Sequence, residues 1–129
     1  MTLPFGTTGS QAPLEAKARE LGRLIGQSGE YQSLKRANES LGADKDAVTV
    51  LNRMSELRLQ AQRMMERDEE PTPEMEHELD DLLTKVQGAP SYQRAVASQE
   101  NFDKIMMQVN AWIAEGIKAG ATSSIITLG

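Results

Sequence analysis

The single histidine, His77, stands three residues after Glu74 and four before Asp81. On a helix that spacing gathers the three side chains on one face. Glu-x-x-His is the pattern that carboxylate-bridged di-metal bundles use, and a dimer would supply it twice. Such sites face the bundle interior and draw on further carboxylates there. His77 is two residues from both Met75 and Leu79, so it lies roughly 200° around the helix from each. The reading is a solvent-facing histidine in a charged strip, with no metal and no other cofactor expected.

Nucleophilic catalysis requires a nucleophile, a base and a group that orients the base. The chain has no cysteine, and its one histidine is expected outside any cleft. No Gly-rich loop follows a strand, because no strand is expected, and the Gly22/Gly26 pair sits in a polar helix. No enzymatic activity is expected and no catalytic residue is assigned. Methionine side chains adapt to irregular partners. Met65 and Met107 fall off the apolar stripes, so they are candidates for docking. Asp68-Glu69-Glu70 reads as a solvated acidic turn.

The elements that would position these residues follow from composition. The 129 residues fit one domain and include one Trp, two Tyr and two Phe against seven Met. That thin aliphatic mass suits helix-on-helix packing. Nineteen acidic residues against fourteen basic ones give a net charge of −5, which disfavours direct nucleic-acid binding. No run of about 18 apolar residues is present to cross a membrane. Met1–Pro13 lacks the charged start and apolar run of a secretion signal. A cytoplasmic location is expected.

Residues 1–10 read as a flexible tail, 11–120 as one helical domain and 121–129 as a C-terminal tail. Pro13 favours a helix start, and Leu14, Ala18, Leu21 and Ile25 follow at helical spacing. Gly26 and Gly29 weaken that helix, and Ser28 is able to cap a second one. Whether residues 11–41 form one kinked helix or two stays open. Asp44 is a good N-cap for a helix reaching about Arg67, in which Ala47, Val50, Met54, Leu57, Ala61 and Met64 make a heptad seam. Thr72-Pro73 starts another helix, striped by Met75, Leu79, Leu82 and Val86. Gly88-Ala89-Pro90 breaks the chain again. A last helix runs from about Ser91 to Ala119, with Tyr92, Ala95, Phe102, Met106, Val109, Ile113 and Ile117 inside and Gly120 as its stop. Gln99 and Asn110 fall on or beside that inner face.

The fold class is therefore all-α, an elongated helical hairpin or bundle of four to five helices. A 29-residue helix is over about 40 Å long, more than one small chain covers easily. The expectation is a homodimer whose interface includes Met54, Leu57, Ala61, Met64, Phe102, Met106, Val109 and Ile113.

The order of features resembles a known family. Ser28-Gly-Glu-Tyr31-Gln-Ser-Leu34-Lys35 leads to an acidic turn, Asp44-Lys-Asp46-Ala47. A Leu/Gln-rich helix from Leu51 to Met65, a Pro-containing gap and a helix around Leu79–Val86 come next. Pro90 is followed by Tyr92, Glu100, Phe102, Asn110, Ile113 and Ile117. Over Leu14–Ala119 this is similar to the YlbF/YmcA family of control-of-competence regulators. The resemblance implies a helical dimer that acts by binding proteins. Its partners would be paralogous family members or an RNase complex, with effects on RNase Y-type RNA processing, competence, biofilm formation and sporulation. Iron–sulfur clusters carried on cysteines in such assemblies do not transfer to a chain without cysteine. Met54 stands where many members have an aromatic. The alternative to a regulatory adaptor is a structural homo-oligomeric scaffold.

Overall fold

The structure is a computed structural model that describes the backbone of residues 11–128 and the side chains of residues 11–122. The expected N-terminal tail lies outside the described residues. Five helices and no strand occur among them: α1 (Gln11–Gln27), α2 (Gly29–Ala43), α3 (Lys45–Glu66), α4 (Pro73–Gln87) and α5 (Pro90–Leu128). The all-α expectation holds.

Three of the four helix starts after α1 are set by local chemistry that the sequence displays. Ser28, in an extended conformation, accepts a hydrogen bond from the Tyr31 N–H, and Asp44 and Thr72 do the same for Ala47 and Met75. Each cap satisfies one of the N–H groups that a helix start leaves without a partner. Residues 11–41 are thus two helices, separated by Ser28 alone. Its hydroxyl also donates to the Ile25 carbonyl at 2.7 Å, so one side chain closes α1 and opens α2. Pro73 occupies the first turn of α4, where its missing N–H costs nothing.

Two of the breaks are braced alike. Gln32 Nε2 donates to the Gly26 carbonyl at 2.8 Å, and Gln93 Nε2 donates to the Gln87 carbonyl at 2.8 Å. In each case a glutamine reaches back six residues across a helix interruption. The bond holds the second helix at a fixed angle to the first and occupies a carbonyl that the helix end would otherwise leave to water.

The helices pair antiparallel, α2 with α5 and α3 with α4. In the first pair, the ring of Tyr31 meets that of Phe102 edge-on with centroids 5.5 Å apart. In the second, Val50, Met54 and Val86 form the buried cluster, covered by Leu51, Leu79, Leu82, Leu83 and Tyr92. The two pairs share a junction where the start of α3 meets the start of α5, through Asp44 and Ser91. Because each seam is closed by essentially one partner helix, the fully covered set is short: Leu34, Ala37, Ala47, Val50, Met54, Leu57, Val86, Ala95 and Val109. Helix α1 contributes no buried residue.

One helix end departs from expectation, and another is made by an unexpected residue. Gly120 does not stop α5, which continues to Leu128. A glycine ends a helix by turning left-handed, and Gly120 does not have the positive φ that this requires. Helix α3 stops at Glu66, near the expected place, through a residue the sequence does not mark. Asp68 takes the left-handed conformation at φ 59°. The Glu69 N–H then reaches the Met64 carbonyl at 2.8 Å, and the Asp68 N–H reaches that of Met65 at 3.0 Å. This is the paired bonding of a Schellman stop, with aspartate in the place glycine usually takes.

Candidate protein-binding surfaces

Besides the two glutamine braces, polar side chains of different helices meet at two points among the described residues. At the junction, Asp44 uses both carboxylate oxygens. Oδ1 accepts from the Ala47 N–H at 3.2 Å, and Oδ2 accepts from the Ser91 hydroxyl at 2.6 Å. The Ser91 hydrogen bond, followed by the backbone bond from Ala47, holds the Asp44 carboxyl below its ordinary range. Farther along the α3/α4 pair, Arg53 donates from Nε to Glu78 Oε2 at 2.7 Å and from Nη2 to Glu78 Oε1 at 3.0 Å. This forked pair fixes the register of the two helices. The Arg53 hydrogen bond lowers the Glu78 pKa. Both arrangements pair their members with one another.

His77 lies on the outer face of α4. Its ring is 81% exposed and sits 3.3 Å from Asp81, which is also exposed. Among the described residues, no three His, Asp or Glu side chains stand close enough to share a metal ion. No helix among them is long and apolar enough to cross a membrane.

The residues expected to form an interface divide into three groups. Met54, Leu57 and Val109 are buried inside the chain's own helix pairs. Ala61, Met64, Phe102 and Met106 are half-buried, each with an edge toward solvent, and Ile113 is exposed. Met65 and Met107 project into solvent, at 61% and 71% exposure. Gln99 and Asn110 are exposed, and Gln99 donates within its own helix to Asp103 at 2.9 Å.

Among the described residues, the outer part of α5 is a long uncovered stretch that carries large apolar side chains. From Asn110 to Thr122 every residue is exposed. Trp112 is 56% exposed, Ile113 44% and Ile117 67%. They continue the stripe that begins at Phe102 and Val109, which α2 and its neighbours cover. Sequence reading placed Ile113 and Ile117 on an inner face. It missed that α2 begins at Gly29, opposite Lys104 and Gln108, and so does not reach Ile113 and Ile117, because the register of α2 against α5 depends on long-range pairing.

The described residues thus form a long-helix hairpin whose cross-helix polar groups are paired with one another and whose apolar stripe outruns its own cover. Residues 14–118 match the family described as "Control of competence regulator ComK, YlbF/YmcA". The chain belongs to the YlbF/YmcA family. It is also similar to proteins named UPF0342 protein. One from Desulfitobacterium hafniense is 26% identical over 106 residues, covering 82% of this chain and 81% of the relative. One from Limosilactobacillus reuteri is 27% identical over 101 residues, covering 78% and 82%. A third, from Leuconostoc mesenteroides, is 22% identical over 93 residues, covering 72% and 80%.

Proposed function

We propose that this protein is a non-enzymatic regulatory adaptor, which acts in the cytoplasm by binding other proteins and does so as a homodimer. The observation that carries the reading is the bare stretch of α5. A helix beyond its packing partners is marginal in water, and large apolar side chains repeated along one stretch mark an interaction surface. A second copy laid along this stretch would cover Trp112, Ile113 and Ile117 and the outer edges of Phe102 and Met106. The half-buried Ala61 and Met64 extend the same interface to the α3/α4 pair. Met54, Leu57 and Val109 support it from beneath, by holding the helices that present it.

The name of the family supports a regulatory role for this chain. In the finer form of the proposal, its partners are paralogous family members or an RNase complex, and the process is RNase Y-type RNA processing with its consequences for competence, biofilm formation and sporulation. Co-purification from the native host tests this. Stoichiometric recovery of a second protein, lost when Ile113 is changed to Lys, supports the adaptor. Recovery of the homo-oligomer alone, with RNA processing unchanged in a deletion strain, would leave the scaffold reading in its place.

A further inference from the structure

Beside the seam that joins α2 to α5, on one side of the pair, runs an open groove. Its upper part is lined by Gly29, Glu30, Ser33, Asn101, Lys104 and Ile105. Its lower part shares Ser33 and Asn101 and adds Arg36, Ser40, Arg94 and Ala97. The lining mixes small side chains, which let another backbone approach closely, with Asn101, Ile105 and Gln108, and it carries the cations Arg36, Arg94 and Lys104.

Among the described residues, cations without a carboxylate partner occur elsewhere on the surface, Arg58 and Lys118 among them, but here three of them line one face together. Arg19, Arg23, Arg53 and Arg67 each pair with a carboxylate of the chain's own. Arg36, Arg94 and Lys104 have no carboxylate within 4.0 Å among the described residues, and Glu30 is the one acid lining the groove. A chain with a net charge of −5 thus keeps three unpaired cations along one concave face. Opposite potential across such a face selects and orients a partner.

We propose that this groove docks an acidic helix of a partner protein. The inference rests on the adaptor reading and supplies the chemistry of its partner. A helix with small residues on one side approaches the small side chains of the lining, and carboxylates flanking that side reach Arg36 and Arg94, whose forked guanidinium groups suit them. Single-stranded nucleic acid fits less well. It binds through cations interleaved with aromatic stacking platforms, and no aromatic side chain lines this groove.

The test uses the full chain and a fluorescent, alanine-rich helical peptide carrying glutamates along both flanks of one face. A lysine-for-glutamate peptide and a labelled uridine oligonucleotide serve as comparisons, and binding is read by anisotropy. The acidic peptide should bind, and its affinity should fall about tenfold or more in Arg36→Glu/Arg94→Glu. Added salt should weaken it. Both positions are exposed, so circular dichroism and the sedimentation mass should stay as in the unaltered protein, which separates loss of the groove from loss of the α5 dimer. Equal binding of the acidic and basic peptides, no loss in the double variant, or groove-dependent binding of the oligonucleotide in place of the acidic peptide would each overturn the proposal.

Discussion

The Ser91 hydroxyl donates a 2.6 Å hydrogen bond to Asp44 Oδ2 across 47 residues of chain, while the other oxygen of the same carboxylate caps α3. One side chain thereby ties the start of α3 to the start of α5, at the point where the two helix pairs meet. Ser91 is the one buried polar residue among those described, and this bond satisfies it.

That relationship has a pH signature. The ordinary pKa of Asp44 is 3.8, and the folded value lies below it. A carboxylate whose pKa is depressed by folding contributes stability that is fully present above the unfolded value and is lost as pH falls through the folded one. Glu78, held down by Arg53, adds to the same trend from an ordinary value of 4.5. Thermal midpoints should therefore be flat near neutrality and fall as the pH drops from about 5 to about 2. In Ser91→Ala the midpoint at neutral pH should be lower and the acid-side fall shallower. An unchanged acid slope in that variant would show that Asp44 is not held down by Ser91.

The stop at Asp68 predicts a stabilising change. A left-handed residue with a Cβ carries a steric cost that glycine does not, although aspartate bears it better than most residues. Asp68 also places a negative charge just beyond the negative end of the α3 dipole. Asp68→Gly should raise stability by about 0.5–1 kcal/mol in denaturant melts. A loss of stability would mean that the aspartate makes a compensating interaction.

The seam between α3 and α4 should dominate the energetics of its pair. Met54 is 2% exposed and Val86 1%. Met54→Ala should cost about 2–5 kcal/mol, since it removes buried surface and leaves a cavity. Met65→Ala, on the solvent side of the same helix, should fall within about 0.5 kcal/mol of the unaltered protein. Comparable losses at the two positions, read from urea midpoints, would contradict the assignment of faces.

How much of this was legible in the sequence follows from the range of each interaction. The caps at Ser28, Asp44 and Thr72 act over three residues, and composition and spacing reveal them. The apolar stripes of α3 and α4 are periodic and were equally readable. The solvent position of His77 follows from its angle to Met75 and Leu79. The pairing of Asp44 with Ser91, and of Arg53 with Glu78, depends on which helices meet and in what register, and no local pattern encodes that. The groove between α2 and α5 was invisible for the same reason, since Arg36 and Arg94 are 58 residues apart. Gly120 misled because glycine tolerates a helix as well as ending one. Asp68 was hidden because aspartate is rare in its role.

The central claim is that the outer part of α5 is covered by a second copy. Ile113→Lys tests it more cleanly than a change at Val109, because Val109 also supports the fold of the single chain. Sedimentation equilibrium at tens of micromolar should give the unaltered protein a mass of about twice 14.2 kDa, and Ile113→Lys the monomer mass with its helicity intact, because an unpaired charge cannot be buried in the dimer. A monomer mass for the unaltered protein at that concentration, with full helicity retained, would contradict the account.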